Sequence, residues 1–289
     1  MEITAHILKA FGKTADGGNP AGVVLDADGL SREQKLNISK QLGFSETAYV
    51  SKSQKADFKV EFFTPTDEVD MCGHATIATF YLLFKENLLK PGTYREETLA
   101  GVLNVEILAD GTVTMDQPLP VFSDLVPTAI VADVFNAPEK TFVVPGLAPQ
   151  IVSTGLRDIL LPVKDRKSLL DLKPDFDKMT RYNKQTNTVG FHAFTLDVLN
   201  EKATAHCRNF APLFGIPEEA ATGSSNGALA CYLFKNSKLG RVDDLIFEQG
   251  YSMGKPSEIV ASLEVVGKEI KRVRVGGKAI YLERRTLVI

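Results

Sequence analysis

Cys72-Gly73-His74-Ala75-Thr76-Ile77-Ala78-Thr79-Phe80-Tyr81-Leu82-Leu83-Phe84-Lys85 has a partial echo later in the chain. The echo is Thr222-Gly223-Ser224-Ser225-Asn226-Gly227-Ala228-Leu229-Ala230-Cys231-Tyr232-Leu233-Phe234-Lys235, at a constant offset of 150 positions. Gly73 and Gly223, Ala78 and Ala228, Leu83 and Leu233, Phe84 and Phe234, and Lys85 and Lys235 coincide. Each copy opens on a small-residue turn and continues as an apolar helix. A helix without a polar face belongs in a core, so the repeat predicts two halves, each built on its own buried helix. Helix starts carry unpaired N–H groups and the positive end of the dipole, and they hold anions readily. Gly73, Gly223 and Ser224 would let a small carboxylate approach the backbone.

The remaining chain reads as many short strands with few helices. Strands are expected at 2–8, 21–25, 44–50, 57–63, 98–108 and 112–116. In the second half they are expected at 141–145, 149–154, 157–163, 188–197, 203–210, 245–249, 257–266, 269–275 and 278–288. Ser31 with Gln34 three positions on is a capping box, and Gly43 marks the end of the helix that it starts. Further helices are expected near 128–136 and across the polar stretch 167–184. Pro118, Pro120 and Pro127 cluster where the two halves meet. This order lacks the regular strand–helix alternation of a parallel doubly wound sheet and indicates an α+β fold.

The 289 residues carry a formal charge of −3, with 44% hydrophobic and 24% charged residues. That balance is an ordinary globular one and gives no electrostatic case for nucleic acid or an anionic membrane. No stretch approaches a membrane span, and the N-terminus lacks a signal-peptide pattern, so a cytoplasmic location is expected. Cys72, Cys207 and Cys231 make an odd set that suits a reducing compartment. No G-x-G-x-x-G, Walker loop, H-E-x-x-H or C-x-x-C occurs. His6, His192 and His206 show no metal-ligand spacing to His74, and no metal site is expected.

Within the expected strand 44–50, Glu46 falls on the same face as Phe44, Ala48 and Val50, flanked by Ser45 and Thr47. A carboxylate on an apolar face has a raised pKa unless it is paired, and suits a general acid or base. Cys72 beside a helix start would have a lowered pKa. Its counterpart is Thr222, so a symmetric two-thiol exchange is not available.

Five motifs in order give a resemblance to a known family. They are Gly18-Asn19-Pro20-Ala21, Gly43-Phe44-Ser45-Glu46-Thr47-Ala48, Phe63-Thr64-Pro65 leading to Cys72-Gly73-His74, Phe210-Ala211-Pro212 leading to Ala221-Thr222-Gly223-Ser224, and Glu248-Gln249-Gly250 through Met253-Gly254-Lys255-Pro256-Ser257. With these the chain resembles the PhzF-like, phenazine-biosynthesis-type isomerases of the diaminopimelate-epimerase fold superfamily. The resemblance implies two pseudo-symmetric halves, each a curved, mostly antiparallel β-sheet or barrel around a central helix. The expected halves are 1–122 plus 276–289, and 123–275, with the substrate in the cleft between them. It implies a cofactor-independent isomerase, without metal, acting on a small carboxylic acid, and a homodimer is plausible. Glu46 would shuttle the proton, with His74 and Glu219 as further catalytic residues. Asn19, Ser45, Cys72, Gly73, Thr222, Gly223 and Ser224 would line the substrate. Glu219 stands where the family has a functional aspartate, and Ala220 where it has proline, which implies a smaller or differently shaped substrate. Two alternatives remain: an amino-acid racemase or epimerase using Cys72, and a non-catalytic small-acid binding protein.

Overall fold

The computed structural model describes residues Met1–Ile289. In chain order its elements are β1 (Glu2–Ala10), β2 (Asn19–Val24), α1 (Arg32–Leu42), β3 (Thr47–Ser51), β4 (Phe58–Phe63), β5 (Glu68–Val69), α2 (Gly73–Lys85), β6 (Gly92–Thr98), β7 (Gly101–Ile107) and β8 (Val113–Gln117). They continue as β9 (Val121–Leu125), α3 (Thr128–Val134), β10 (Gln150–Ser153), β11 (Arg157–Pro162), α4 (Arg166–Leu170), α5 (Phe176–Thr186), β12 (Gly190–Thr195) and β13 (Ala205–Ala211). The last are β14 (Ile216–Glu219), α6 (Gly223–Lys235), β15 (Leu245–Gln249), β16 (Ser257–Val266), β17 (Glu269–Gly277) and β18 (Ala279–Val288). This is a mixed α+β fold. No helix is long and apolar enough to cross a membrane.

The chain forms two compact units, one of Met1–Asp116 with Gly276–Ile289 and one of Gln117–Val275. In the first, β1 pairs antiparallel with β18, from Glu2 opposite Val288 to Ala10 opposite Ala279. The order then runs β1–β2 antiparallel, β2–β3 parallel, β3–β4 antiparallel, β4–β6 parallel and β6–β7 antiparallel. In the second, β10–β11 is antiparallel, β11–β12 parallel, β12–β13 antiparallel, β13–β15 parallel and β15–β16 antiparallel. The pattern is the same in both. Parallel neighbours need a long crossover, and in each unit the crossovers carry the helices. α1 joins β2 to β3 and α2 joins β4 to β6; α4 with α5 joins β11 to β12, and α6 joins β13 to β15. The short β5 and β14 precede α2 and α6 as antiparallel additions to β4 and β13. The echo in the sequence is therefore the visible part of a repeat in the pairing pattern.

α2 and α6 are buried almost all round. Ala75 to Phe80, Leu82 and Leu83 are buried in α2, and Ser225 to Leu233 in α6. α2 packs on β1, β2, β3, β7 and β18, and α6 on β10, β11 and β16. The amphipathic α1 covers an outer layer, where Ile38 and Leu42 meet Ala5, Ile7, Val24, Tyr49 and Phe63. In the second unit α3 and α5 do the same. Phe135 there meets Phe191 and Phe210 at ring distances of 5.5 and 5.6 Å, in the edge-on geometry that aromatic pairs favour.

Local sequence explains most boundaries. The α1 capping box is complete: Gln34 N donates to Ser31 Oγ at 3.2 Å and Ser31 N to Gln34 Oε1 at 2.9 Å. Gly43, with φ +70°, closes the helix by donating to Ser39 O. Four segments differ from the sequence expectation. The expected strand 98–108 is the end of one strand and all of the next, because Gly101 at φ +120° turns the chain and makes a hairpin. The expected strand 141–145 is a short 3-10 turn, Glu139–Phe142. The polar helix 167–184 is two helices, divided around Pro174 and capped by Asp165 and Asp175. The strand expected over 44–50 begins only at Thr47, because the left-handed Gly43 leads into a bend at Phe44 and Ser45. β3 is also buried at four successive positions, Thr47 to Val50, rather than alternately.

Candidate active site

In the first unit the start of α2 carries the polar groups. Cys72 is the N-cap, extended at φ −141°, ψ 108°, and its side chain makes no capping bond. The thiol instead turns to His74, with Sγ 3.4 Å from Nδ1 and 3.9 Å from Nε2. His74 Nε2 lies 3.4 Å from Glu46 Oε2. The thiol, imidazole and carboxylate thus lie within 4.8 Å of one another. The His74 and Glu46 side chains keep 13% and 21% exposure, so solvent or a ligand can reach them. Glu46 sits in the bend before β3, and this differs from the strand position read from the sequence. Its main chain is tied by Gly22 N donating to Glu46 O at 3.4 Å. A Cβ on Gly22 would stand 2.7 Å from Leu42 Cδ1, so a larger residue there would have to displace the Leu42 side chain.

The other sequence-predicted residues of this unit fall around that group. Gly73 is half-buried at the first helical position, and a Cβ there would meet only Met115 Sδ, at 3.6 Å. Packing does not require glycine at 73, which leaves access to the backbone as its physical use. Asn19 is half-buried at the start of β2, opposite Ala10. The preceding Gly18, at φ +81°, is obligatory because a Cβ would lie 2.4 Å from Ala10 O. Ser45 is exposed in the bend beside Glu46.

Glu96 on β6 was not singled out from the sequence, because β6 itself was not expected there. It is fully buried, and Thr76 Oγ1 in the first turn of α2 donates to Oε1 at 3.0 Å. Burial pushes its pKa up to about 8, against the lowering effect of the Thr76 hydroxyl.

In the second unit Thr222 caps α6 with the same extended backbone as Cys72, at φ −131°, ψ 104°. Its hydroxyl donates to Glu219 Oε2 and thereby orients that carboxylate. Glu219 lies on β14, which is anchored by its neighbour. Arg208 Nε and Nη2 donate to the two Glu218 oxygens, each at 2.9 Å. Such a two-point guanidinium contact fixes geometry as well as charge, and Glu219, next along the strand, points to the opposite face. Gly223 and Ser224 follow as half-buried residues of the first turn.

Behind this start stands a network that the sequence reading did not resolve. Gln249 Nε2 donates to Glu219 O at 2.8 Å and to Thr222 Oγ1 at 3.0 Å. Gln249 Oε1 accepts from Thr222 N at 3.2 Å and from Asn226 Nδ2 at 2.8 Å. His192 stands between Asn226 and Asn209, its Nε2 3.2 Å from Asn226 Oδ1 and its Nδ1 3.0 Å from Asn209 Oδ1. Burial pulls the His192 pKa down to about 4, while both asparagine contacts oppose the shift. A neutral imidazole supplies one N–H, and the fixed Asn226 amide assigns it to Nε2. Ser225 Oγ donates to Asp158 Oδ2. Burial raises the Asp158 pKa to about 6, the Ser225 bond lowers it, and the charge of Glu219 raises it further. Polar residues at 225 and 226 inside an otherwise apolar helix were the available signal, since buried polar groups need partners.

The order of motifs, the paired helix starts and the carboxylate–imidazole–thiol group point one way. A model of the phenazine biosynthesis-like proteins matches residues 8–285. The chain belongs to this family. An uncharacterised isomerase of Clostridium acetobutylicum is 33% identical over 98% of this chain and 97% of its own. The trans-2,3-dihydro-3-hydroxyanthranilate isomerase of Pseudomonas chlororaphis is 27% identical, with 98% of each chain covered. A solved PhzF-family structure from Bacillus anthracis matches with a TM-score of 0.90 at 29% identity, over 100% of both chains. The enzyme class shown by the family is isomerase.

Proposed function

We propose that the chain is a cofactor-independent isomerase that moves a proton on a small carboxylic acid, with Glu46 as the general acid and base. The observation that carries this is the contact of Glu46 Oε2 with His74 Nε2 at 3.4 Å, at the edge of solvent and beside a helix start. A general base must be within reach of both solvent and a bound carbon acid. Glu46 takes a proton from a carbon made acidic by an adjacent unsaturated or carboxyl group. The electron pair delocalises, and the protonated Glu46 returns the proton at a second carbon. Composition and oxidation state are unchanged, so the step balances without an electron carrier. The N–H groups at the start of α2, at Gly73, hold the anionic group. His74 orients a polar substituent, and Asn19, Ser45 and Cys72 line the ligand.

The longer Glu219 and the absence of proline at 220 favour a substrate other than that named for the Pseudomonas relative. A thermal-shift screen over hydroxy, amino and aromatic carboxylic acids would find it. Ligand at about 100 times its Kd adds about 2.7 kcal/mol to the folded state. Hits are then incubated in deuterated water. Deuterium entering a carbon position, with loss in Glu46→Gln, supports the reading; binding without exchange or conversion refutes catalysis.

A second reading has one observation in its favour. Cys72 Sγ makes no capping bond and lies beside an imidazole, as a racemase thiol would. Thr222 at the equivalent cap offers no second thiol. Loss of α-carbon exchange in Cys72→Ser would establish the thiol as the base; retention would remove this reading.

A further inference from the structure

We propose that Glu46, Cys72 and His74 bind one zinc-type divalent cation, and that its occupancy inhibits the enzyme by engaging the Glu46 carboxylate. Tetrahedral zinc has Zn–S near 2.3 Å and Zn–N and Zn–O near 2.0–2.2 Å, so its ligand atoms are separated by about 3.3–3.6 Å. Here Glu46 Oε2 to His74 Nε2 is 3.4 Å and Cys72 Sγ to His74 Nε2 is 3.9 Å. All three donor groups lie within 4.8 Å of one another. The thiol also lies 3.4 Å from Nδ1, so coordination through Nε2 requires the Cys72 side chain to turn towards Glu46.

The donor set decides the cation. One thiolate, one imidazole and one carboxylate suit zinc and its neighbours, while magnesium and calcium take oxygen ligands. Charge decides whether the helix dipole forbids it. A cation at a helix N-terminus is disfavoured. Thiolate and carboxylate together carry two negative charges, which neutralise a divalent ion. The same helix start favours the thiolate that the ion requires. Binding displaces the thiol proton to solvent and forms the metal–sulfur bond, so affinity rises with pH. Three protein ligands leave a fourth position open for water or a carboxylate, as in zinc sites that exchange ligands.

The second helix start serves as an internal comparison. Its backbone matches, yet it offers Thr222 and Ser224 in place of thiol and imidazole. Of the two helix starts, the first alone has the soft donors. Neither Cys207 nor Cys231 substitutes, since both have no exposed surface, against 8% for Cys72, and burial raises both thiol pKa values.

Cobalt titration of the reduced full-length chain tests the site without any substrate. The expected result is a thiolate-to-cobalt charge-transfer absorbance that saturates at one equivalent and is erased by zinc. Cys72→Ser should lose the band, and His74→Ala should weaken binding at least tenfold. Serine is a favoured N-cap, so the first variant keeps its fold, which circular dichroism confirms. Absence of the band, or its persistence in Cys72→Ser, overturns the site. The inhibitory half rests on the isomerase reading and is tested on deuterium exchange. Exchange should stop on adding zinc and recover with chelator, and exchange that continues at saturating zinc overturns that half. Failure of the isomerase reading leaves the cobalt result standing.

Discussion

His74 Nε2 faces Glu46 Oε2 across 3.4 Å, so the second residue of a buried helix meets a carboxylate in the bend before β3. This contact makes Glu46 the acid or base to test. Glu46→Gln keeps the shape and removes the proton carrier. We expect carbon–deuterium exchange to fall by about 10²–10⁴, the usual contribution of a general base, with melting temperature nearly unchanged. Full exchange in this variant would reassign the base.

Glu96 predicts a pH dependence of stability. Its folded pKa is raised from 4.5 to about 8 by burial. Between those values the unfolded chain has released a proton that the folded chain keeps, so stability falls as pH rises through that window. Glu96→Gln removes the ionisation and keeps an acceptor for Thr76. Urea unfolding at pH 5 and pH 9 should show a fall of up to several kcal/mol in the parent chain from this group and a flatter profile in the variant. Parallel profiles would show that Glu96 ionises freely in the folded state.

Ser225→Ala tests the Asp158 arrangement. Ser225 is the hydroxyl donor to Asp158 Oδ2, and its bond lowers a pKa that burial has raised to about 6. Without it the Asp158 pKa should rise further, read by carboxyl-carbon NMR titration. Stability at neutral pH should drop by about 1–3 kcal/mol, the cost of a buried polar group losing its partner.

Two glycines separate backbone strain from steric clash. Gly250 and Gly254 are both left-handed, at φ +81° and +65°. A Cβ on Gly250 would stand 2.2 Å from Lys255 O and 2.7 Å from Ala220 O, while one on Gly254 would meet nothing within 4 Å. Gly254→Ala should cost about 1–2 kcal/mol, the left-handed penalty alone. Gly250→Ala should cost more than about 3 kcal/mol or prevent folding, since backbone atoms cannot yield. Equal costs would mean that the chain around Ala220 relaxes.

Gln249→Leu keeps the volume and removes both polar ends. Thr222 N, Asn226 Nδ2, Thr222 Oγ1 and Glu219 O all bond to this side chain. The stranded buried groups should lower stability by at least about 2 kcal/mol. Hydrogen exchange at Thr222 should rise, while exchange in α1 stays as it was.

The sequence by itself determined what depends on neighbours along the chain. The α2 and α6 helices, the Ser31 capping box, the Gly43 stop and most strands follow from periodicity and local chemistry. The repeated helix starts point to Gly73, Gly223 and Ser224 without any knowledge of strand pairing. Only the tertiary structure decided what depends on distant partners. The alternation of parallel and antiparallel neighbours, common to both units, is set by hydrogen bonds between strands far apart in the chain. Glu46 was legible as a residue, but its setting was not. Its apolar-face argument assumed a strand, and Gly43 turns the chain so that its place is fixed by Gly22 and its contact by His74. Gln249, Asn226, His192 and Asn209 arrive on α6, β12, β13 and β15. No local pattern joins them, because the need to satisfy buried polar groups acts through space and not along the chain.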